Sequence, residues 1–165
     1  MPKLAELNAL GAEEFTRIMG PVFEHSPWVA ERAAPQRPFA SRDEVHSSMC
    51  RIVEEAAEIE KLALIRAHPD LVGRAALTPA SQAEQTHAGL TMLSDIEKTK
   101  FQDYNRAYRA QFDFPFVICA RMSDKQAMLE AFVVRLENTR EQELETALTE
   151  IFKIAKLRLA DLIDE

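Results

Sequence analysis

The sequence predicts an all-α fold, a single-domain helical bundle over residues 1–165 with one short extended apolar segment, and three observations carry that expectation. Four boxes of the type Ser/Thr-x-x-Glu/Gln, at Ser41-x-x-Glu44, Ser81-x-x-Glu84, Ser123-x-x-Gln126 and Thr139-x-x-Gln142, each precede apolar residues at helical spacing. In such a box the hydroxyl accepts from the third amide of a helix, and the Glu or Gln side chain reaches back to the cap amide. The second observation is the apolar period, which follows three-and-four spacing through most of the chain. The third is that only Phe114-Pro115-Phe116-Val117-Ile118-Cys119-Ala120 reads as extended, being short, apolar and β-branched.

Taken in order, Leu4, Leu7, Leu10, Phe15, Ile18 and Met19 fit one or two short helices that Gly20-Pro21 stops. Ser26 before Pro27 reads as an N-cap with proline at the first helical position. The short helix it opens anchors Trp28 in the core and ends at Pro35, Arg37 and Pro38. From Ser41 one long helix is expected to Ala67, with Val45, Met49, Ile52, Val53, Ala56, Ile59 and Ala63 on its buried stripe. A proline disfavours the α conformation in the residue before it, so Pro69 stops this helix near Ala67 and leaves His68 in an extended turn. Residues 81–93 and 94–112 read as the next two helices. Those opened at Ser123 and Thr139 are expected to run for roughly 15 and 25 residues.

A chain of 165 residues, 47% hydrophobic and 28% charged, is long enough for one sizeable core. Its net charge of −7 argues against nucleic-acid binding, which rests on clustered Lys and Arg. Cys50 and Cys119 stand apart in apolar surroundings without CxxC spacing, the pattern of reduced packing thiols in an intracellular protein. Met1-Pro2-Lys3-Leu4 does not open a signal peptide, and no apolar run reaches the ~18 residues of a membrane span. A cytoplasmic location follows as the expectation.

Candidate chemistry concentrates where one helix stops and the next starts. His68 follows a helix C-terminus, whose carbonyls favour imidazolium and raise its pKa towards the range useful for acid/base work. Position alone fits a structural histidine as well, and Asp70 is most simply a turn residue bonded to its own backbone. A capping box explains Ser81 and Glu84, while the same helix start could offer amides to an anion and a carboxylate to an imidazole or a urea-like group. Arg158 falls ~40° from the centre of the stripe formed by Leu144, Ala147, Leu148, Ile151, Ala155, Leu159 and Leu162. A guanidinium there must snorkel, pair with a carboxylate such as Asp161, or meet an anionic ligand.

Two weaker patterns complete the reading. His25 reads as a surface or capping residue. Asp43-x-x-His46 and Glu84-x-x-His87 have the carboxylate-x-x-His spacing of di-metal bundles. Asp43 nevertheless lies ~130° from the centre of its stripe, and His87 points away from Ala88, Met92 and Ile96, so no metal site is expected. A non-catalytic helical interaction module is the alternative from another class.

Ala67-His68-Pro69-Asp70-Leu71, Ser81-x-x-Glu84-Gln85 leading to Ala88-Gly89-Leu90, and Phe116-Val117-Ile118-Cys119-Ala120-Arg121 together resemble the OHCU decarboxylase family of ureide-forming purine catabolism. OHCU is 2-oxo-4-hydroxy-4-carboxy-5-ureidoimidazoline. Gly20-Pro21-Val22-Phe23-Glu24, Ser26-Pro27-Trp28, Arg37-Pro38-Phe39, and the closing Glu150-Ile151 and Lys156-Leu157-Arg158-Leu159 carry the resemblance over nearly the whole chain. It implies an all-α carboxy-lyase that needs no cofactor, acts on a small ureidoimidazoline, yields (S)-allantoin and CO2, and forms a possible homodimer. It implies that His68 is the catalytic histidine and Glu84 its partner carboxylate. Substrate contacts are implied at Pro69, at Ser81, Gln82, Ala83, Glu84 and Gln85, and at Phe116, Val117, Ile118, Cys119 and Ala120. Arg158 aligns with an arginine that faces the pocket, which turns the expectation for it from salt bridge to anion site. Two departures stand out: residues 71–81 are fewer than the family pattern, and the chain ends Ile163-Asp164-Glu165 where eukaryotic members often carry a peroxisomal tripeptide. The expected location is therefore a bacterial-type cytoplasm.

Overall fold

The computed structural model describes residues 1–73 and 76–165, so that Arg74 and Ala75, in the segment read as short, lie outside the described residues. In chain order the helices are α1 (Leu4–Ala9), α2 (Ala12–Met19), α3 (Trp28–Ala33), α4 (Arg42–Glu54), α5 (Glu58–Arg66), α6 (Pro79–His87), α7 (Asp95–Phe112), α8 (Lys125–Arg135) and α9 (Arg140–Leu162). Single 3-10 turns lie at Gly20–Val22, Ala34–Gln36 and Ala120–Met122. Among the described residues the only β pairing is one isolated bridge between Lys3 and Asp164, so the fold is all-α. The chain divides into two compact units, one of Met1–Ala67 with Phe152–Glu165 and one of His68–Ile151.

In the first unit, Arg37 closes α1 by donating from Nη1 to the Leu7 and Leu10 carbonyls at 3.0 and 2.6 Å. They lie at the C-terminal end of α1, where carbonyls run short of intrahelical donors; Leu7 also accepts a longer bond from Leu10 N–H at 3.4 Å. The two ends of the chain meet through Leu4 N–H to the Asp164 carbonyl and Asp164 N–H to the Pro2 carbonyl, both 2.9 Å. Ser26 does not cap α3: its hydroxyl donates to the Glu24 carbonyl at 2.8 Å, and Pro27 holds the cap position. Val29, Ala30 and Ala33 are the core residues of that helix. Trp28 is half-buried, with the Arg32 guanidinium 4.6 Å from its ring centre. His25 is exposed.

The long helix expected from Ser41 is two helices. Ser41 does cap α4, accepting from Glu44 N–H at 3.0 Å, but α4 stops at Glu54 and Ala57 is extended at φ −62, ψ 150. Glu60 then accepts from Ala57 N–H at 3.3 Å, and Glu58 and Glu60 fall in the first turn of α5, where the helix dipole favours negative charge. The break shifts the register. Ile59, 77% exposed, and Ala63 turn to solvent, while Leu64 and Ile65 become core residues.

The second unit has an aromatic core. Tyr108, Phe112, Phe114, Phe116 and Phe132 are fully buried, and the rings of Phe116 and Phe132 stack with centroids 3.8 Å apart. Helix α6 is shorter than the expected 81–93 because Gly89, at φ 81, takes the left-handed conformation that ends helices. Ser94 and Glu97 form a reciprocal box at the start of α7. Residues 114–119 run as the buried non-helical segment the sequence suggested, and Ala120, which that expectation included, instead opens the 3-10 turn. Charged side chains satisfy its backbone: Arg135 Nη1 donates to the Val117 carbonyl at 2.7 Å, and Glu150 Oε1 accepts from Cys119 N–H at 3.1 Å. Arg135 also pairs with the fully buried Glu143 at 2.7 Å, which accepts from the Tyr108 hydroxyl at 2.6 Å. Asp124 caps α8 at 2.8 Å in place of Ser123, since a carboxylate suits the positive helix end better than a hydroxyl. The Thr139 and Gln142 box opens α9 reciprocally. These helices run for 11 and 23 residues.

Candidate active site

Helix α5 ends at Arg66 with Ala67 as its C-cap, as Pro69 requires. His68 follows, only 6% exposed. The turn after it is held by side chains from two helices of the second unit. Arg109 of α7 meets Asp70 Oδ1 with both Nε and Nη2 at 2.9 Å. Asn105, one turn earlier on α7, donates from Nδ2 to the Leu71 carbonyl at 2.8 Å. Gln85 of α6 accepts from Val72 N–H at 3.2 Å and donates to the Asp70 carbonyl at 3.3 Å. Asp70 is thus an ion-pair partner of α7, a role that turn propensity alone did not suggest.

The start of α6 corrects the expected capping box. Thr78 is the N-cap, its Oγ1 accepting from Ser81 N–H at 3.2 Å, and Pro79 takes the first helical position. A threonine cap followed by a proline already set for the first turn starts the helix three residues earlier than Ser81 would. Ser81 and Glu84 therefore lie inside the helix. With Gln85 they form one buried face at i, i+3 and i+4 spacing, while Gln82 and Ala83 are exposed. Helix α6 packs against the Ala120–Met122 turn that follows the extended segment. Phe116, Val117, Cys119 and Ala120 are buried there, and Ile118 and Pro69 are half-buried. The turn after His68, the inner face of α6 and the end of the extended segment all belong to the second unit.

Arg158 belongs to the first unit and is 5% exposed. Its Nη1 donates to the Pro21 carbonyl at 2.9 Å, and its Nη2 lies 3.4 Å from Glu24 Oε2. Glu24 is itself 2% exposed. A guanidinium on the apolar stripe requires a partner, and Glu24 stands 134 residues away in sequence, beyond the reach of any spacing pattern. Asn105 also escaped notice, although the same kind of anomaly marks it: a polar residue on the buried face that carries Phe101, Tyr108 and Phe112. Among the described residues no group of three or more His, Cys, Asp or Glu is arranged to hold a metal ion. Nor is any described helix long and apolar enough to cross a membrane.

Comparison with known proteins extends these observations. A family model described as OHCU decarboxylase matches residues 8–160. The chain belongs to the OHCU decarboxylase family. It is 44% identical over 158 residues to the 2-oxo-4-hydroxy-4-carboxy-5-ureidoimidazoline decarboxylase of Haloferax volcanii, covering 96% of this chain and 94% of that one. The Xenopus laevis protein of the same name is 39% identical, with 96% and 93% covered. All of this chain aligns at 42% identity with a third of a Bacillus protein described as a uric acid degradation bifunctional protein, 33% of whose length is covered. Among solved structures, an (S)-allantoin synthase superposes with TM-score 0.81 at 31% identity, covering 98% of this chain and 54% of that one. An OHCU decarboxylase solved in the presence of (S)-allantoin gives 0.72 at 28% identity, with 92% and 98% covered.

Proposed function

We propose that His68 and Glu84 perform the chemistry of this family member, a carboxy-lyase of urate degradation that converts OHCU to allantoin. One observation supports the assignment most directly: α6 presents Ser81, Glu84 and Gln85 as a single buried polar face, and Gln85 bonds to the turn that follows His68. A buried polar face of this kind needs a polar ligand or polar neighbours.

The substrate carries its carboxylate and a hydroxyl on one ring carbon, beside a ring C=N. When the bond to the carboxylate breaks, CO2 leaves and its electron pair forms a double bond to the neighbouring carbon. The C=N pair moves onto nitrogen, which takes a proton. The hydroxyl proton is then lost as that oxygen becomes a carbonyl, and the neighbouring carbon takes a proton on one face. The substrate thus supplies its own electron sink. In our reading His68 accepts the hydroxyl proton and returns one to carbon, and Glu84 fixes the imidazole or the ureido group. The face of delivery sets the (S) product. Ser81, Pro69 and the backbone of residues 116–120 contact the substrate. Residues 81–85 contact the substrate in the same reading, Ser81, Glu84 and Gln85 from the buried face of α6 and Gln82 and Ala83 from its exposed side.

Arg158 is proposed, by its place in the family pattern, to orient the substrate. A tight grip on the departing carboxylate would stabilise the ground state and oppose decarboxylation. The proposed organisation is one decarboxylase domain over residues 1–165, working as a cytoplasmic homodimer without a cofactor; sedimentation tests the dimer.

The test of the activity is to generate OHCU from urate in situ, add the protein, and follow the circular dichroism of the allantoin formed. Rapid appearance of the (S) enantiomer, lost in His68→Asn, is the expected result. Racemic product at the spontaneous rate would overturn the reading in favour of a non-catalytic helical module.

A further inference from the structure

Val72 has φ 58, in the left-handed region that a β-branched residue avoids, and it stands four residues after His68. Such a conformation persists only where its surroundings over-determine it. Here three side chains do so on three consecutive residues: Arg109 on Asp70, Asn105 on the Leu71 carbonyl, and Gln85 on Val72 N–H and the Asp70 carbonyl. Asn105 is the innermost member of the clamp on α7, 6% exposed, whereas the Arg109 side chain is 45% exposed.

Its amide is used unevenly. Nδ2 makes the bond to Leu71 at 2.8 Å, while Oδ1 is buried with no hydrogen-bond partner among the described residues. Native interiors rarely leave a polar atom so, and each instance calls for an explanation. What this amide does hold is the strained turn next to the buried imidazole.

We propose that Asn105 is a positioning residue for the decarboxylation: by fixing the Leu71 carbonyl it holds the turn in its strained form and keeps His68 in register with the inner face of α6. Gln85 and Arg109 are the auxiliary clamps. The proposal rests on the acid/base role of His68. It predicts that loosening the turn disturbs the chemical step rather than substrate binding, because a group misplaced by about an ångström loses rate out of proportion to affinity.

The experiment compares wild type, Asn105→Leu, Arg109→Gln and His68→Asn. It reads kcat and KM per folded molecule, the enantiomeric excess of the allantoin, the melting temperature, and the imidazole proton resonances. With four histidines in the chain, His68→Asn assigns the resonance of His68. Asn105→Leu is expected to lower kcat by about tenfold or more, leave KM within about twofold, erode the (S) excess, and shift or broaden the His68 line. Arg109→Gln, at a partly exposed pair, folds and loses severalfold in kcat; should Asn105→Leu not fold, it decides by the same criteria. Wild-type kcat per folded molecule and an unmoved His68 line in these variants, with only the melting temperature lowered, would overturn the positioning role. A fully active His68→Asn would instead overturn the acid/base reading beneath it. An inactive His68→Asn beside an active Asn105→Leu overturns the positioning role alone.

Discussion

The Ser81 backbone N–H donates to Thr78 Oγ1 at 3.2 Å, which makes Thr78 the cap of α6 and puts Glu84 a full turn inside the helix. The cap and the carboxylate proposed for the chemistry are therefore different residues, and substitutions can separate the two roles. Thr78→Ala removes the cap and is expected to cost about 1 kcal/mol of stability. Glu84→Gln keeps the cap, so urea unfolding should show a much smaller change. Its turnover should fall by about 10- to 100-fold, as for loss of a group assisting proton transfer. Equal kinetics in Glu84→Gln and wild type would remove Glu84 from the mechanism.

His68→Asn tests the imidazole itself. The side chain is 6% exposed, so the smaller amide changes packing as well as chemistry, and both effects are measurable. Turnover in the urate-coupled dichroism assay should drop by at least about 100-fold, the scale of a lost general acid/base. The melting temperature should move by only a few degrees, because a polar residue that suits turns replaces another polar group. Near-normal turnover would exclude the acid/base role.

The helical class was legible because it rests on local signals. Ser41, Ser94 and Thr139 cap their helices, and Pro69 and Gly89 end theirs, each through backbone chemistry within a few residues. Ser94 shows the limit of even this, since its boundary was read but its box with Glu97 was not. Where two local signals competed, the sequence could not rank them: Thr78-Pro79 prevailed over Ser81, and Asp124 over Ser123. The break at Ala57 escaped because Ile59 and Ala63 continue the apolar period of α4 although both face solvent. At the candidate site the motif residues could be read, but not their supports. Glu24, Asn105, Arg109 and Glu150 reach their partners across the fold, and no spacing rule encodes contacts made 31 to 134 residues apart.

Cys50 offers a pH-dependent test away from the site. Burial, and secondarily the negative charge of Glu54, push its thiol up to about 12. Nearby His46 does not serve as its base: His46 Nε2 lies 2.7 Å from the Phe152 carbonyl, which can only accept, so that nitrogen carries the proton. The fold favours the neutral thiol, so its contribution is complete below the ordinary value of 9 and is lost as pH rises from 9 towards 12. Native protein at pH 8 should therefore resist alkylation by iodoacetamide at Cys50 and react once unfolded, as peptide mass spectrometry would show. The urea midpoint should decline above pH 9, and Cys50→Ala should remove part of that decline. Rapid native labelling of Cys50 would contradict the buried, protonated thiol.

Arg158 and Glu24 decide between a structural ion pair and a substrate-orienting arginine. Both are almost fully buried, so removing only the carboxylate in Glu24→Ala takes a negative charge from beside a buried guanidinium and should cost about 3–5 kcal/mol. Replacing both by apolar residues of similar size, Arg158→Met with Glu24→Leu, removes the charge altogether and should restore most of that stability, since buried pairs often match apolar substitutes. The double variant then separates the two roles. An arginine that orients the substrate predicts a well-folded protein whose kcat/KM is reduced by about tenfold or more, the scale of a lost charged contact. An ion pair that serves only the fold predicts a double variant with wild-type kinetics. Chemical denaturation and the dichroism assay on the same preparations distinguish these outcomes, and the second would withdraw Arg158 from the substrate site while leaving His68 and Glu84 in place.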